Sequence, residues 1–146
     1  MRTGRSTLPA GSPALAALCR ALASAACLLA LTAASLAQSF QPQATWTNQH
    51  GSTLTIAAIA PDGSFAGSFV SHSGGECLNS AYPVRGWIDG QKIAFAVRWV
   101  NASDDCEALT SWTGYLGPKG VVARWVIVHF NRSGKPTLSS GTDVFH

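Results

Sequence analysis

From residue 44 onward, apolar positions recur with a period of two in short runs, and glycine, proline, asparagine or aspartate interrupts them at regular intervals. Phe95, Val97 and Trp99 fall on one side of their run, while Ala94, Ala96 and Arg98 fall on the other. That alternation marks a strand in a sheet with two different faces. The pattern predicts strands at residues 44–49, 52–60, 64–71, 82–89, 92–99, 111–116, 121–130 and 138–145. Between them His50-Gly51, Pro61-Asp62-Gly63, Asp89-Gly90, Gly117-Pro118-Lys119-Gly120 and Ser133-Gly134-Lys135-Pro136 supply positive-φ glycines and φ-fixing prolines, so most neighbours are expected to be antiparallel hairpins. No helix-period stretch follows residue 37, and the fold class is all-β, with a closed sheet expected. Two connections are longer, 72–81 and 100–110. In the run 121–130, Trp125, Ile127 and His129 oppose Arg124, Val126 and Val128, which leaves both faces largely apolar. A solvated outer face does not require that, so a subunit interface is expected there.

The first residues follow a different pattern. Arg2, Arg5 and Arg20 precede an apolar run, 21–34, that ends in Ser35-Leu36-Ala37. This is the organisation of a secretory signal peptide over residues 1–37, cleaved after Ala37, and it predicts a secreted or periplasmic protein. A competing lipoprotein reading of Ser24-Ala25-Ala26-Cys27 places Ser24 where an apolar residue is usual. After the leader, residues 38–43 read as a flexible N-terminal segment and 44–146 as one domain. No later run approaches the roughly 20 apolar residues a membrane helix needs. Removing Arg2, Arg5 and Arg20 from the ten basic residues leaves seven, against seven acids. The domain is then near neutral, with no basic stripe to neutralise a phosphate backbone, so neither nucleic acid nor membrane is an expected partner.

Cys19 and Cys27 belong to the leader, so Cys77 and Cys106, one in each long connection, are the only pair left. In an exported chain a disulfide is the default, which would place both connections at one end of the sheet. Free or metal-binding thiols are the alternative, but two cysteines without a nearby histidine pair make an incomplete zinc site. An exported hydrolase would have to draw on His50, His72, His129 or His146 with Asp143 and a serine. Neither a Gly-x-Ser-x-Gly elbow nor a His-Glu-x-x-His motif is present, so no catalytic residue, metal or cofactor is assigned. Five tryptophans are many for a generic core, because each buried indole N–H wants a partner. A ligand cavity lined with indoles would account for them. Asn101-Ala102-Ser103 and Asn131-Arg132-Ser133 fit the glycosylation sequon.

The segments Trp46-Thr47-Asn48-Gln49-His50-Gly51-Ser52, Trp99, Thr110-Ser111-Trp112-Thr113-Gly114, Trp125 and Gly141-Thr142-Asp143-Val144-Phe145, in that order, resemble the avidin family. The resemblance implies an eight-stranded antiparallel up-and-down β-barrel that binds biotin without catalysis in a pocket at one end. Asn48 and Ser52 would hold the ureido oxygen, and Ser71 and Asp143 the ureido N–H groups. Trp99, Trp112 and Trp125 would box the apolar part of the ligand, with Phe95 as a further aromatic. Thr110 would contact the thioether, and backbone N–H groups of Ser73, Gly74 and Gly75 the carboxylate. Trp46 would seal the barrel and Trp87 would face outward or an interface.

The chain also departs from the family pattern. Phe69 stands where the family places a tyrosine on the ureido oxygen, Ala108 where it places a hydroxyl near the carboxylate, and Lys135 where a neighbouring subunit's tryptophan is expected. With Cys77 and Cys106, this makes the chain similar to disulfide-containing dimeric bacterial avidins of the rhizavidin type, and implies a homodimer whose purpose is to sequester the vitamin. Phe69 and Ala108 leave a second reading open, the same barrel turned to another small apolar ligand.

Overall fold

A computed structural model of the chain describes residues 38–74, 77–102 and 106–146; the expected leader lies outside them. Eight strands follow one another: β1 (Thr45–Thr47), β2 (Thr53–Ile59), β3 (Ser64–Val70), β4 (Ala81–Asp89), β5 (Lys92–Val100), β6 (Glu107–Gly117), β7 (Gly120–Phe130) and β8 (Pro136–Phe145). Each pairs antiparallel with the next, in sequence order across one sheet. The ends of the meander also meet. Asn48 bridges Phe145, and Thr47 and His146 exchange backbone hydrogen bonds, the N–H of each donating to the other's carbonyl at 3.0 and 2.9 Å. The eight-stranded up-and-down barrel is thereby closed, and closure removes the unpaired edges an open sheet would expose.

Turn chemistry sets the hairpins. In the β2–β3 turn Gly63 takes φ 81°, and Asp62 Oδ1 accepts from both the N–H and the O–H of Ser64, at 2.9 and 2.7 Å. Those two donors hold the exposed Asp62 carboxyl below its ordinary value. In the β7–β8 turn Asn131 Oδ1 accepts from Ser133 N, Ser133 Oγ and Lys135 N, the turn-stabilising role for which asparagine is favoured.

Period two then fills the interior. Phe95, Val97 and Trp99 of β5 are buried, and Arg98 between them is exposed. The core below the cavity is aromatic: Phe65 meets Phe95 edge-on with centroids at 6.3 Å, and Phe95 stacks on Trp112 at 4.9 Å. Trp46 is buried with Phe40 packed against it at 5.9 Å, so the segment before β1 covers the start of the barrel. Trp87 points outward and is 63% exposed. Cys77 and Cys106 form the disulfide, with Cα atoms 5.2 Å apart, and join the chain after β3 to the start of β6. A crosslink over a separation of 29 residues contributes about 3–4 kcal/mol by constraining the unfolded chain.

The main departure from the expected elements is β6, which starts at Glu107 rather than at 111. Residues 107–110 pair with both neighbours, Val100 with Glu107 on one side and Ala108 with His129 on the other, and this pairing converts part of a long connection into strand.

Gly86 shows how tightly the interior is filled. A Cβ there would lie 2.2 Å from the Ala94 carbonyl oxygen, 2.6 Å from Phe65 Cε1 and 2.7 Å from Phe95 Cβ. Backbone on one side and the aromatic core on the other leave it no room. Gly86→Ala is expected to lower unfolding free energy by about 1–3 kcal/mol, the range for overpacking, as a lower denaturant midpoint at unchanged slope.

Candidate ligand-binding site

The five buried polar side chains among the described residues are Asn48, Ser52, Ser71, Thr110 and Asp143. All five line one cavity of about 750 Å3. A polar group is stable in such a place only if it is partnered, and each of the five is partly engaged by protein, which decides what it offers the cavity.

Asn48 follows β1, where the chain turns toward β2. Its Oδ1 accepts the backbone N–H groups of His50 and Ser52 at 3.0 and 2.9 Å. Two donors on one atom identify it as the oxygen, so the amide NH2 is the part available to a ligand. Ser52 Oγ accepts the His72 N–H at 3.0 Å, which leaves its hydroxyl proton free to donate. Ser71 is the reverse case. Its hydroxyl donates to the Ser73 carbonyl at 2.9 Å and its oxygen accepts the Ser73 N–H at 3.4 Å, so toward the cavity it acts as an acceptor through its remaining lone pair. Asp143 Oδ2 accepts the Trp112 indole N–H at 2.8 Å, and the rest of its carboxylate capacity can accept only. The floor of the cavity therefore presents two donors, Asn48 and Ser52, and two acceptors, Ser71 and Asp143.

The apolar wall is built from the same strands. Trp99 and Trp112 are buried and Trp125 is half-buried, all three on the cavity. Phe69 lies between them, stacked on Trp112 at 5.0 Å and edge-on to Trp99 at 5.8 Å. Trp99 Nε1 donates to Thr110 Oγ1 at 2.7 Å, which satisfies the indole and leaves the threonine proton free. Trp125 rests against Gly141 of β8, where a Cβ would lie 2.4 Å from Cζ2 of the ring; glycine is what lets the indole lie flat there.

Of the residues expected at the site, Asn48, Ser52, Phe69, Ser71, Ser73, Gly74, Trp99, Thr110, Trp112, Trp125 and Asp143 come together on this cavity. Phe95 does not. Its ring is stacked behind Trp112, with an interplanar angle of 7°, and braces the wall instead of forming it. Gly75 lies outside the described residues.

Two contributors were missed in the sequence. Gln49 spans the barrel closure: its Nε2 donates to Asp143 Oδ1 at 3.3 Å and to the Thr142 carbonyl at 3.1 Å, and its Oε1 accepts the Val144 N–H at 2.8 Å. It thereby orients the acidic group from the other end of the chain. Its place beside Asn48 was the only available signal. Tyr82 is buried behind Trp99 with centroids 5.0 Å apart, and its hydroxyl lies 3.3 Å from Cys106 Sγ, so the ring links the indole wall to the disulfide. Among the described residues no cluster of histidine, cysteine, aspartate and glutamate is arranged to hold a metal ion.

The avidin family model matches residues 36–146. Afifavidin from Afifella pfennigii is 34% identical in an alignment of 105 positions that covers 68% of this chain and 65% of that protein, so the match spans just under two thirds of its length. Among solved structures, apo shwanavidin superposes with a TM-score of 0.63 at 34% identity, over 73% of this chain and 97% of that one. A rhizavidin–biotin complex gives 0.64 at 36% identity, over 73% and 94%. A barrel of this topology, with its buried polar groups gathered on one indole-walled cavity and a family match over most of its length, belongs to the avidin family.

Proposed function

We propose that the cavity binds biotin, without catalysis. The observation that carries this reading is the set of two donors and two acceptors at its floor, backed by indoles. A planar urea has one acceptor oxygen with two lone pairs and two N–H donors, the complement of Asn48 and Ser52 on one side and Ser71 and Asp143 on the other. In a dry cavity each correctly placed partner counts. Trp99, Trp112 and Trp125 then enclose the sulfur ring and alkyl chain, and Thr110 lies beside them. Ser73 and Gly74 border the cavity; the Ser73 N–H donates to Ser71 Oγ at 3.4 Å, so the Gly74 N–H is the backbone donor proposed for the carboxylate. The rhizavidin complex with biotin supports the same reading.

The protein acts as an exported homodimer, with the disulfide consistent with an oxidising compartment. Leu109, Val128 and Leu138 are register partners across β6, β7 and β8, and Leu109 is 51% and Leu138 72% exposed. With Val126 they form an outward apolar patch of the kind a second copy covers. The disulfide beside the cavity reduces the ordering cost of binding, which offsets the absence of a tryptophan at Lys135. Sequestration of the vitamin is the role that follows.

Titration calorimetry with biotin, combined with a mass measurement on the same sample, is expected to give one biotin per chain at nanomolar or tighter affinity and a two-chain mass. No heat and no thermal shift would exclude biotin and turn the search to other small apolar ligands. Asp143→Ala removes a ligand acceptor and leaves the buried Trp112 N–H unpaired. A loss of about 3 kcal/mol, or roughly two orders of magnitude in Kd, is expected. Phe69→Tyr supplies a third donor for the ureido oxygen and is expected to tighten Kd about tenfold; equal or weaker calorimetric affinity would show that the added hydroxyl does not reach it.

A further inference from the structure

Three ionisable side chains on the cavity, His50, Glu107 and His129, have no task in the biotin reading. His129 of β7 lies on the inward phase of its strand with Trp125 and Ile127, and all three line the cavity. Its cross-strand partner on β6 is Ala108, the position at which the resemblance implies a hydroxyl near the ligand carboxylate. Directly opposite residues on neighbouring antiparallel strands hold their Cβ atoms about 4.5–5.5 Å apart. The methyl group of Ala108 carries no hydrogen-bonding atom, so of this facing pair only the His129 imidazole can donate to a ligand.

We infer that His129 takes over the absent hydroxyl and makes this barrel selective for a ligand ending in a free anionic carboxylate over its ester or amide. This rests on the biotin reading above. The remaining groups at this level agree with it. Thr110, on the same phase of β6 as Ala108, accepts from Trp99 Nε1, which leaves its hydroxyl proton free to donate. Asp143 faces the floor, engaged by Trp112 and Gln49, and is opposite Ala123 in the register of β7, six residues from His129. Glu107 borders the cavity but falls on the outward phase of β6 and is exposed. A ring N–H donating to a carboxylate forms a charge-assisted hydrogen bond, roughly twice as strong as a neutral one. An ester keeps the carbonyl acceptor but loses the charge.

The test is calorimetric titration of the full chain and of its His129→Ala variant with biotin and with biotin methyl ester. His129→Ala is expected to weaken the acid about tenfold and leave the ester within about twofold. Adding Ala108→Ser to His129→Ala is expected to restore most of the affinity for the acid, because it puts a donor back on the opposite strand. An equal loss for acid and ester, or no loss for the acid, overturns the role of His129 while leaving biotin binding standing. Failure of the unsubstituted protein to bind either compound overturns the biotin reading itself, and this inference with it.

Discussion

The reciprocal hydrogen bonds between Thr47 and His146 join the first strand of the barrel to the last. Everything at the cavity floor depends on that closure. Asn48 and Ser52 come from the beginning of the domain and Asp143 from its end. Gln49, the residue after the bridge, reaches across to the Asp143 carboxylate and to the backbone on either side of it. An open meander of the same eight strands would keep its hairpins but would leave the acceptor half of the site far from the donor half.

Closure also imposes a constraint that the side chains resolve. Once the sheet is a barrel, every second residue points into an interior shielded from bulk solvent, where unpaired polar groups are costly. The chain satisfies this by sharing. Each inward polar residue spends part of its hydrogen-bonding capacity on the protein: Asn48 on two backbone N–H groups, Ser52 on His72, Ser71 on Ser73, Asp143 on Trp112 and Gln49, and Thr110 on Trp99. What remains is oriented and of one polarity at each position. Such a site is preorganised, and a ligand of matching polarity binds without having to order the groups that receive it. Trp46 is the exception. Its Nε1 is buried without a partner, at the sealed start of the barrel and outside the cavity lining, where it contributes packing with Phe40.

The walls and the mouth follow from the same strands. Tyr82 stands between Trp99 and Cys106, so the disulfide and the indole wall are mechanically continuous. Gly141 permits the close approach of Trp125 to β8. On the outside, the apolar row across β6, β7 and β8 uses the opposite phase of the strands that carry Trp112 and Trp125 on the inside. Burial of the outer row in a dimer would therefore stiffen the strands that hold the ligand.

Much of this was legible along the chain. Alternation in β5 and the turn residues around Gly63, Gly90 and Gly134 predicted strands and hairpins, because period two and turn geometry are local properties. The start of β6 was not, since residues 107–110 become strand only through partners on β5 and β7. The residue types of the cavity followed from the order of motifs, and the disulfide from two cysteines in the two long connections. Which atom of Asn48, Ser52 or Ser71 faces a ligand was beyond the sequence, as were the clamp of Gln49 on Asp143 and the placement of Phe95 behind Trp112. Hydrogen-bond polarity and ring stacking depend on which groups from distant segments meet. Local patterning specified the hairpins, the crosslink and the chemical alphabet of the site. Only closure of the barrel decided how those letters are oriented, because it brings residues nearly a hundred positions apart within hydrogen-bonding distance.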